Sequence, residues 1–388
     1  MKIRGRVLVL AVSMPIVAFA VIGGFMSKAM AREDSYQYLR IFEDVVSLIL
    51  NNYFEEVNVE SVMQGAMHGL ADGLDPASAY LDAAQVKTLD KGDSLAAGQT
   101  GLEITRQYYL RVIAARDGSP AAKAGLMPGD YIRAIDGQST RDTTVYEGQR
   151  LLRGKPGTKV RLTVLRGNAV EPHEIDLVRE DLPALAVKSR MAGASVGYVR
   201  VAEFGKNTAE QIKSEIASVQ KSGAKGVVID LRGTAFGDVD TGLAAARLFV
   251  KSGVLAYRQD RGKEKEAINA ATGDGAITVS TVLLTDNGTS NGAEVFAAAL
   301  AGNKRAQLIG ERTLGRAAHQ KLVRLPDGGA LMLTHLIYLT PASVAIHEKG
   351  LAPDVAVQQP EIDFGQPQPT ADATLDKAIA TLTAKAAA

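Results

Sequence analysis

V-L-L-T-D-N-G-T-S-N-G-A-E-V-F-A-A-A-L-A-G-N-K-R-A-Q-L-I-G-E-R-T-L-G-R-A-A-H-Q, residues Val282 to Gln320, is the stretch from which the rest of this chain is read. Val282–Leu284 is an apolar run short enough for a buried strand. Thr285–Gly292 is a polar turn. Ala293 opens a helix of small and apolar residues that reaches about Leu300 and stops at Gly302-Asn303, and Gln307–Ile309 reads as a second buried strand. A strand, an exposed turn and a helix in that order can present a side chain at the turn beside free backbone N–H groups. The same order also makes an ordinary parallel crossover with no chemistry.

Composition bounds the chemistry. The chain has 388 residues, room for about two or three domains. A net charge of +1 gives no reason to expect nucleic acid. The absence of cysteine excludes a thiol nucleophile and disulfides. The five histidines, His68, His173, His319, His335 and His347, show no metal-ligand spacing, and no Gly-rich phosphate loop is present, so no cofactor and no metal are expected.

The quoted stretch resembles the catalytic core of the carboxyl-terminal processing peptidases, the tail-specific proteases. That family carries S/T-A-S-A-S/G-E, with the nucleophilic serine three residues before the glutamate, and then G-E-x-T-x-G-K-x-x-x-Q, whose lysine is the general base. Here the glutamate is Glu294, so the serine position is Asn291. Gly310-Glu311-Arg312-Thr313-Leu314-Gly315-Arg316 places Arg316 at the lysine position, 25 residues on, and Gln320 at the supporting glutamine. An amide is a poor nucleophile. Arginine stays protonated and offers donors only. Losing either member of such a unit typically costs on the order of a million-fold in rate. Ser290 is the alternative nucleophile and His319 an alternative base. Lys304 and Lys321 have no motif position, and Asn291 and Arg316 could instead hydrogen-bond to each other.

A third departure lies upstream. Gly226–Arg232 reads as a buried strand and ends in D-L-R, after which the family has x-N-P-G-G and an oxyanion-hole N–H. This chain has Gly233-Thr234-Ala235-Phe236-Gly237, so Gly237 alone remains in the oxyanion region, and Phe236 could fill the space of a scissile carbonyl. Before it, Val196–Phe204 alternates as a strand, and Thr208 is the expected cap of a helix reaching about Val219.

Gly118–Gly137 and Leu151–Arg166 resemble a PDZ domain of the bacterial protease type. The resemblance assigns Gly101, Leu102, Glu103 and Ile104 to the loop whose N–H groups hold a peptide's terminal carboxylate, with the peptide added as a strand. Leu74–Leu81, L-D-P-A-S-A-Y-L, resembles the family's N-terminal helical signature. Ahead of it, Asp34–Asn52 carries Ile41, Val45, Leu48 and Ile49 at helical spacing, and Ser61–Leu70 reads as a second helix. Lys2, Arg4 and Arg6 precede a 20-residue apolar run, Val7–Met26, and Ala29-Met30-Ala31 offers a cleavage site. The segment is a cleaved signal or a retained membrane anchor, and either reading exports the remainder to the periplasm or the outer face of the cytoplasmic membrane.

The expected fold class is multidomain α+β: an export segment (1–31), an N-terminal helical segment (32–92), a PDZ domain (97–180), an α/β peptidase core of the crotonase or ClpP-like type (190–357), and a Pro/Gln-rich linker with a C-terminal helix (358–388). Three functions follow: an inactive homologue binding polypeptide C-terminal tails or a partner peptidase, an active serine-type endopeptidase cleaving near nonpolar C-termini through a rearranged site, or a structural subunit. Expected partners are peptide tails, with a homodimer or an active relative possible through the terminal helices.

Overall fold

The computed structural model describes residues 36–91, 96–167, 171–360, 362–366 and 369–387. The export segment, with its apolar run 7–26, lies outside these residues. Among the described residues no helix is long and apolar enough to cross a membrane. The chain divides into two units, one up to Met67 and one from His68 onward.

In the first unit residues 36–52 are helical, and a second helix, Val59–Asp72, begins before its end. The apolar face read from the spacing is present but uncovered: Ile41, Val45, Leu48 and Ile49 are all exposed, as is Phe54 beyond them.

The second unit is built on a six-stranded sheet in the order Val355–Ala356, Ala306–Gly310, Ser280–Thr285, Gly226–Asp230, Val196–Arg200, Lys188–Met191. All neighbours are parallel except the last pair. Parallel strands are covered on both faces, so they read as unbroken apolar runs, and alternate side chains divide between two cores. Val227, Ile229 and Leu283 face the helices Thr208–Lys221, Val239–Arg247 and Gly292–Gly302. Val228, Val282 and Leu284 face Leu375, Ala378 and Leu382 of the C-terminal helix Ala373–Ala387. That helix packs its apolar face on its own sheet.

Two sequence readings need correction. The strand Val196–Phe204 breaks after Arg200, and Glu203–Phe204 pairs separately with Phe236–Gly237. Thr208 lies inside its helix rather than capping it. Asn207 takes the cap position without a side-chain bond, while the Thr208 hydroxyl accepts from Gly205 N–H and donates to Glu203 oxygen. A hydroxyl with two backbone partners just upstream has no need of the N-cap role.

A five-stranded antiparallel sheet flanks the core, with Ala330–Leu339 at its centre. Ala79–Leu81, which precedes the PDZ domain in sequence, joins it by pairing with Ala330–Met332.

The PDZ sheet runs Leu102–Gln107, Tyr109–Ala115, Tyr131–Ile135, Lys159–Leu165, His173–Val178, so Leu102–Gln107 is an edge strand. Its own core holds Ile104, Leu110, Ile132 and Leu162. The two ends of the domain meet as hydrogen-bonded neighbours: Gln99 N–H donates to Glu180 oxygen at 2.8 Å, and Glu180 N–H returns the bond at 2.9 Å.

Candidate active site

The strand Ser280–Thr285 delivers the chain to the turn at Asp286, and the helix Gly292–Gly302 leaves from Asn291. Asn291 has φ 53° and ψ −123°, outside even the left-handed region that asparagine tolerates. A non-glycine residue in such a conformation costs about 1–3 kcal/mol and persists only where its surroundings impose it. Those surroundings are visible. Gly292 is pressed against Asp238, where an added Cβ would lie 2.3 Å from its carbonyl oxygen. Gly242 of the neighbouring helix is pressed in turn against Gly292, where a Cβ would lie 2.1 Å from its oxygen. Two glycines thus let the helix Val239–Arg247 close on the turn.

The turn is fastened to the segment after Asp230. Asp286 accepts Gly233 N–H at 2.9 Å, the Thr289 hydroxyl donates to Leu231 oxygen, and Ser290 N–H donates to Thr234 oxygen at 3.0 Å. Burial pushes the Asp286 carboxyl up, with the Gly233 and Gly288 N–H groups and Thr289 pulling it back. Asp230 itself is an anchor. Burial alone would raise its pKa, but Arg232 holds it below the usual carboxylate range, and Arg232 also binds Asp372 ahead of the C-terminal helix at 2.7 Å.

Each residue singled out from sequence can now be placed. Asn291 donates Nδ2–H to the Ala235 carbonyl at 3.2 Å. Arg316 does not bond to Asn291, contrary to that expectation. Its guanidinium binds the carboxylate of Glu103 at 2.7 Å and reaches Ile104 oxygen at 3.4 Å, because an ionised PDZ carboxylate is a stronger partner than a neutral amide. Ser290 is buried, and its hydroxyl oxygen has no hydrogen-bond partner among the described residues, so no base activates it there. His319 bonds to the Tyr338 hydroxyl at 3.0 Å, which leaves it paired away from the turn. Gln320 donates to Thr334 at 3.3 Å from its own antiparallel strand. Lys304 and Lys321 are exposed.

Gly237 keeps φ +107° because a Cβ there would lie 2.1 Å from Phe204 oxygen. Phe236, like Leu314, packs on a buried cluster that includes Ile113 and Ala114 of the PDZ sheet. Its ring therefore serves the junction between PDZ domain and core. Of the four residues assigned to a carboxylate loop, only Gly101 lies outside the edge strand. Leu102, Glu103 and Ile104 belong to the edge strand, paired with Ala115, Ala114 and Val112.

Two roles escaped the sequence. One is Glu103 as partner of Arg316, which pattern cannot reveal across 213 residues. The other is Glu294. It is fully buried, and it accepts the Thr313 hydroxyl, Gly315 N–H at 2.6 Å and Arg316 N–H at 2.7 Å, tying the second motif to the first. Its signal was available: it is the lone charge in the helix Gly292–Gly302. A cleft of about 290 Å³ opens between Ile104, Thr105 and Val145 of the PDZ domain and Leu314, Arg316 and His347 of the core.

Peptidase family S41 matches residues 195–357, and a PDZ domain matches residues 111–166. A carboxy-terminal-processing protease of Bartonella bacilliformis is 30% identical over 360 residues, spanning 89% of this chain and 83% of that protein. This chain belongs to the carboxy-terminal processing peptidase family. The carboxy-terminal processing protease CtpA of Bacillus subtilis is 31% identical over 81% of this chain and 67% of its own length. Among solved structures, a photosystem II D1 C-terminal processing protease superposes with a TM-score of 0.67 at 28% identity, over 80% of this chain and 85% of that one. The chain joins a PDZ domain to an S41 core. PDZ domains bind peptide C-termini by strand addition, and in this family member the edge strand Leu102–Gln107 borders the same cleft as Arg316.

Proposed function

We propose that this family member is catalytically inert and binds exposed peptide C-termini, or an active peptidase relative, outside the cytoplasm. The observation that carries this reading is the state of the two reacting positions. Asn291 spends its amide on the Ala235 carbonyl, and Arg316 spends its charge on Glu103. Neither group can attack a carbonyl or accept a proton. The open edge of Leu102–Gln107 supports tail binding, because backbone groups do that work and no reactive side chain is required. The basic residues ahead of the apolar run support export, and the uncovered apolar residues of the helix 36–52 support a partner on that helix.

The test pairs two assays on the purified protein. A labelled peptide with an apolar free C-terminus is expected to bind, and its amidated counterpart to bind at least about tenfold more weakly, since the terminal charge is lost. An unfolded protein with the same tail is expected to survive prolonged incubation intact. Turnover that disappears in Ser290→Ala would overturn the inert reading. Arg316→Ala is expected to tighten tail binding by a few-fold, because the guanidinium no longer sits at the Ile104 carbonyl that an added strand would use.

A further inference from the structure

Asn291 is followed by glycine, and its backbone is held at ψ −123°. Around the Cα–C bond this angle turns the Gly292 nitrogen to the side of Cβ, so that nitrogen, carbonyl carbon, Cα and Cβ lie nearly in one plane. Those are four of the five atoms of a succinimide ring. In a flexible chain this eclipsed arrangement is sparsely populated and must be reached before an asparagine can cyclise. Here the fold supplies it, through the glycine contacts that impose the turn.

Most of the remaining requirements are met by the same site. Gly292 N–H donates to nothing among the described residues, as expected for the first residue of a helix. Glycine puts no Cβ in the path of ring closure. Asn291 is only half-buried, whereas Gly292 is buried, so base must reach the reacting N–H from the Asn291 side. The helix Gly292–Gly302 begins at the reacting nitrogen, and its N-terminal dipole favours the negative charge that develops as the amide nitrogen loses its proton. The contact that closure must release is one neutral hydrogen bond, to Ala235 oxygen at 3.2 Å.

We infer that Asn291-Gly292 is a self-modification site, at which the native fold promotes deamidation of Asn291 through a succinimide. The Gly292 nitrogen attacks Asn291 Cγ, and its proton passes to solvent hydroxide. The Cγ–Nδ2 bond breaks, and Nδ2 leaves as ammonia with a proton taken from water. Water then opens the imide at either carbonyl, giving aspartate or isoaspartate. The net change is one water consumed and one ammonia released, with no oxidant or reductant. The inference concerns this peptide bond alone and stands whether or not the chain cleaves peptides.

The chain contains its own comparison. Asn287-Gly288 has the same two residues in the same turn, and fragmentation in a mass spectrometer separates the two sites. The full chain would be held in mildly alkaline buffer made with oxygen-18 water, with and without denaturing urea. Conversion at 291 would be followed by heavy-oxygen uptake and by isoaspartate-specific methylation. The native protein is expected to convert at 291 about tenfold faster than the unfolded chain, as the fold pre-sets the ring geometry. It is also expected to accelerate as pH rises. An Asn291→Gln variant, whose ring would have six members, should lose the signal. Conversion at 291 that is equal or slower in the native protein overturns the inference, as does uptake confined to Asn287. Both readouts come from the unaltered chain, so they hold even if the variant folds poorly.

Discussion

Replacing Asn291 by Ser and Arg316 by Lys together is expected to leave hydrolysis of an unfolded protein near background, and adding Glu103→Gln is expected to raise it by on the order of a hundredfold. The double change restores the residue types of a Ser–Lys pair. It does not restore their chemistry, because Glu103 stands 2.7 Å from the present guanidinium in a setting where both side chains are largely covered. A lysine ammonium in that position would keep the same partner. An opposite charge so close raises a lysine pKa by about 1–3 units, and a general base must be neutral to accept a proton. Neutralising Glu103 returns that factor to the fraction of free amine. The check is initial rate against pH for the double and triple variants. The triple variant should reach half-maximal rate at the lower pH. Equal rates in the two would show that Glu103 does not govern the base. Silence in both would place the defect in Thr234-Ala235-Phe236 instead.

Glu294→Ala is expected to destabilise the protein by about 3–5 kcal/mol, the largest loss foreseen for a single side chain here. Its fully buried carboxylate is the acceptor for the Thr313 hydroxyl and for the Gly315 and Arg316 N–H groups. Alanine removes the acceptor and leaves two buried donors and one part-buried donor without one. The same residue gives a pH signature. Burial pushes its pKa from 4.5 up to about 7, against hydrogen bonds that favour the ionised form. A folded-state pKa above the unfolded one means that the folded protein holds the proton more tightly. The stability this contributes is fully present below about pH 4.5 and is lost as pH rises through about 7. Glu294→Gln keeps the shape and cannot titrate. The stability difference between it and the native protein should therefore change across that window and be flat above it. A constant difference from pH 4 to 8 would show that folding does not shift the Glu294 pKa.

The scaffold was legible because local pattern and tertiary role agree there. Gly226–Asp230 and Ser280–Thr285 are buried on both faces, so their apolar runs needed no further context. The turn Thr285–Gly292 announced itself through its polar residues and glycines. What the chain did not disclose are pairings across long separations. Arg316 with Glu103, and Phe236 with Ile113, depend on where the PDZ sheet rests on the core, and no residue pattern encodes that placement. The expected bond between Asn291 and Arg316 failed for the same reason. Both residues found partners that adjacency in a motif does not suggest. Glu294 was readable in principle, since a single charge in an apolar helix calls for a buried partner.

The PDZ domain leaves the chain and rejoins it at hydrogen-bonded neighbours, Gln99 and Glu180. A module whose two ends touch is a cassette. It can be lifted out and replaced by a tight turn, or exchanged for another domain, without stretching the scaffold around it. What a replacement must reproduce is electrostatic. Arg116 binds Glu203, Asp117 binds Arg200 at 2.9 Å and Glu103 binds Arg316 at 2.7 Å, so excision strands one carboxylate and two guanidinium groups on the core. Domain exchange in this protein is therefore a matter of rewriting three ion pairs more than of fitting two chain ends.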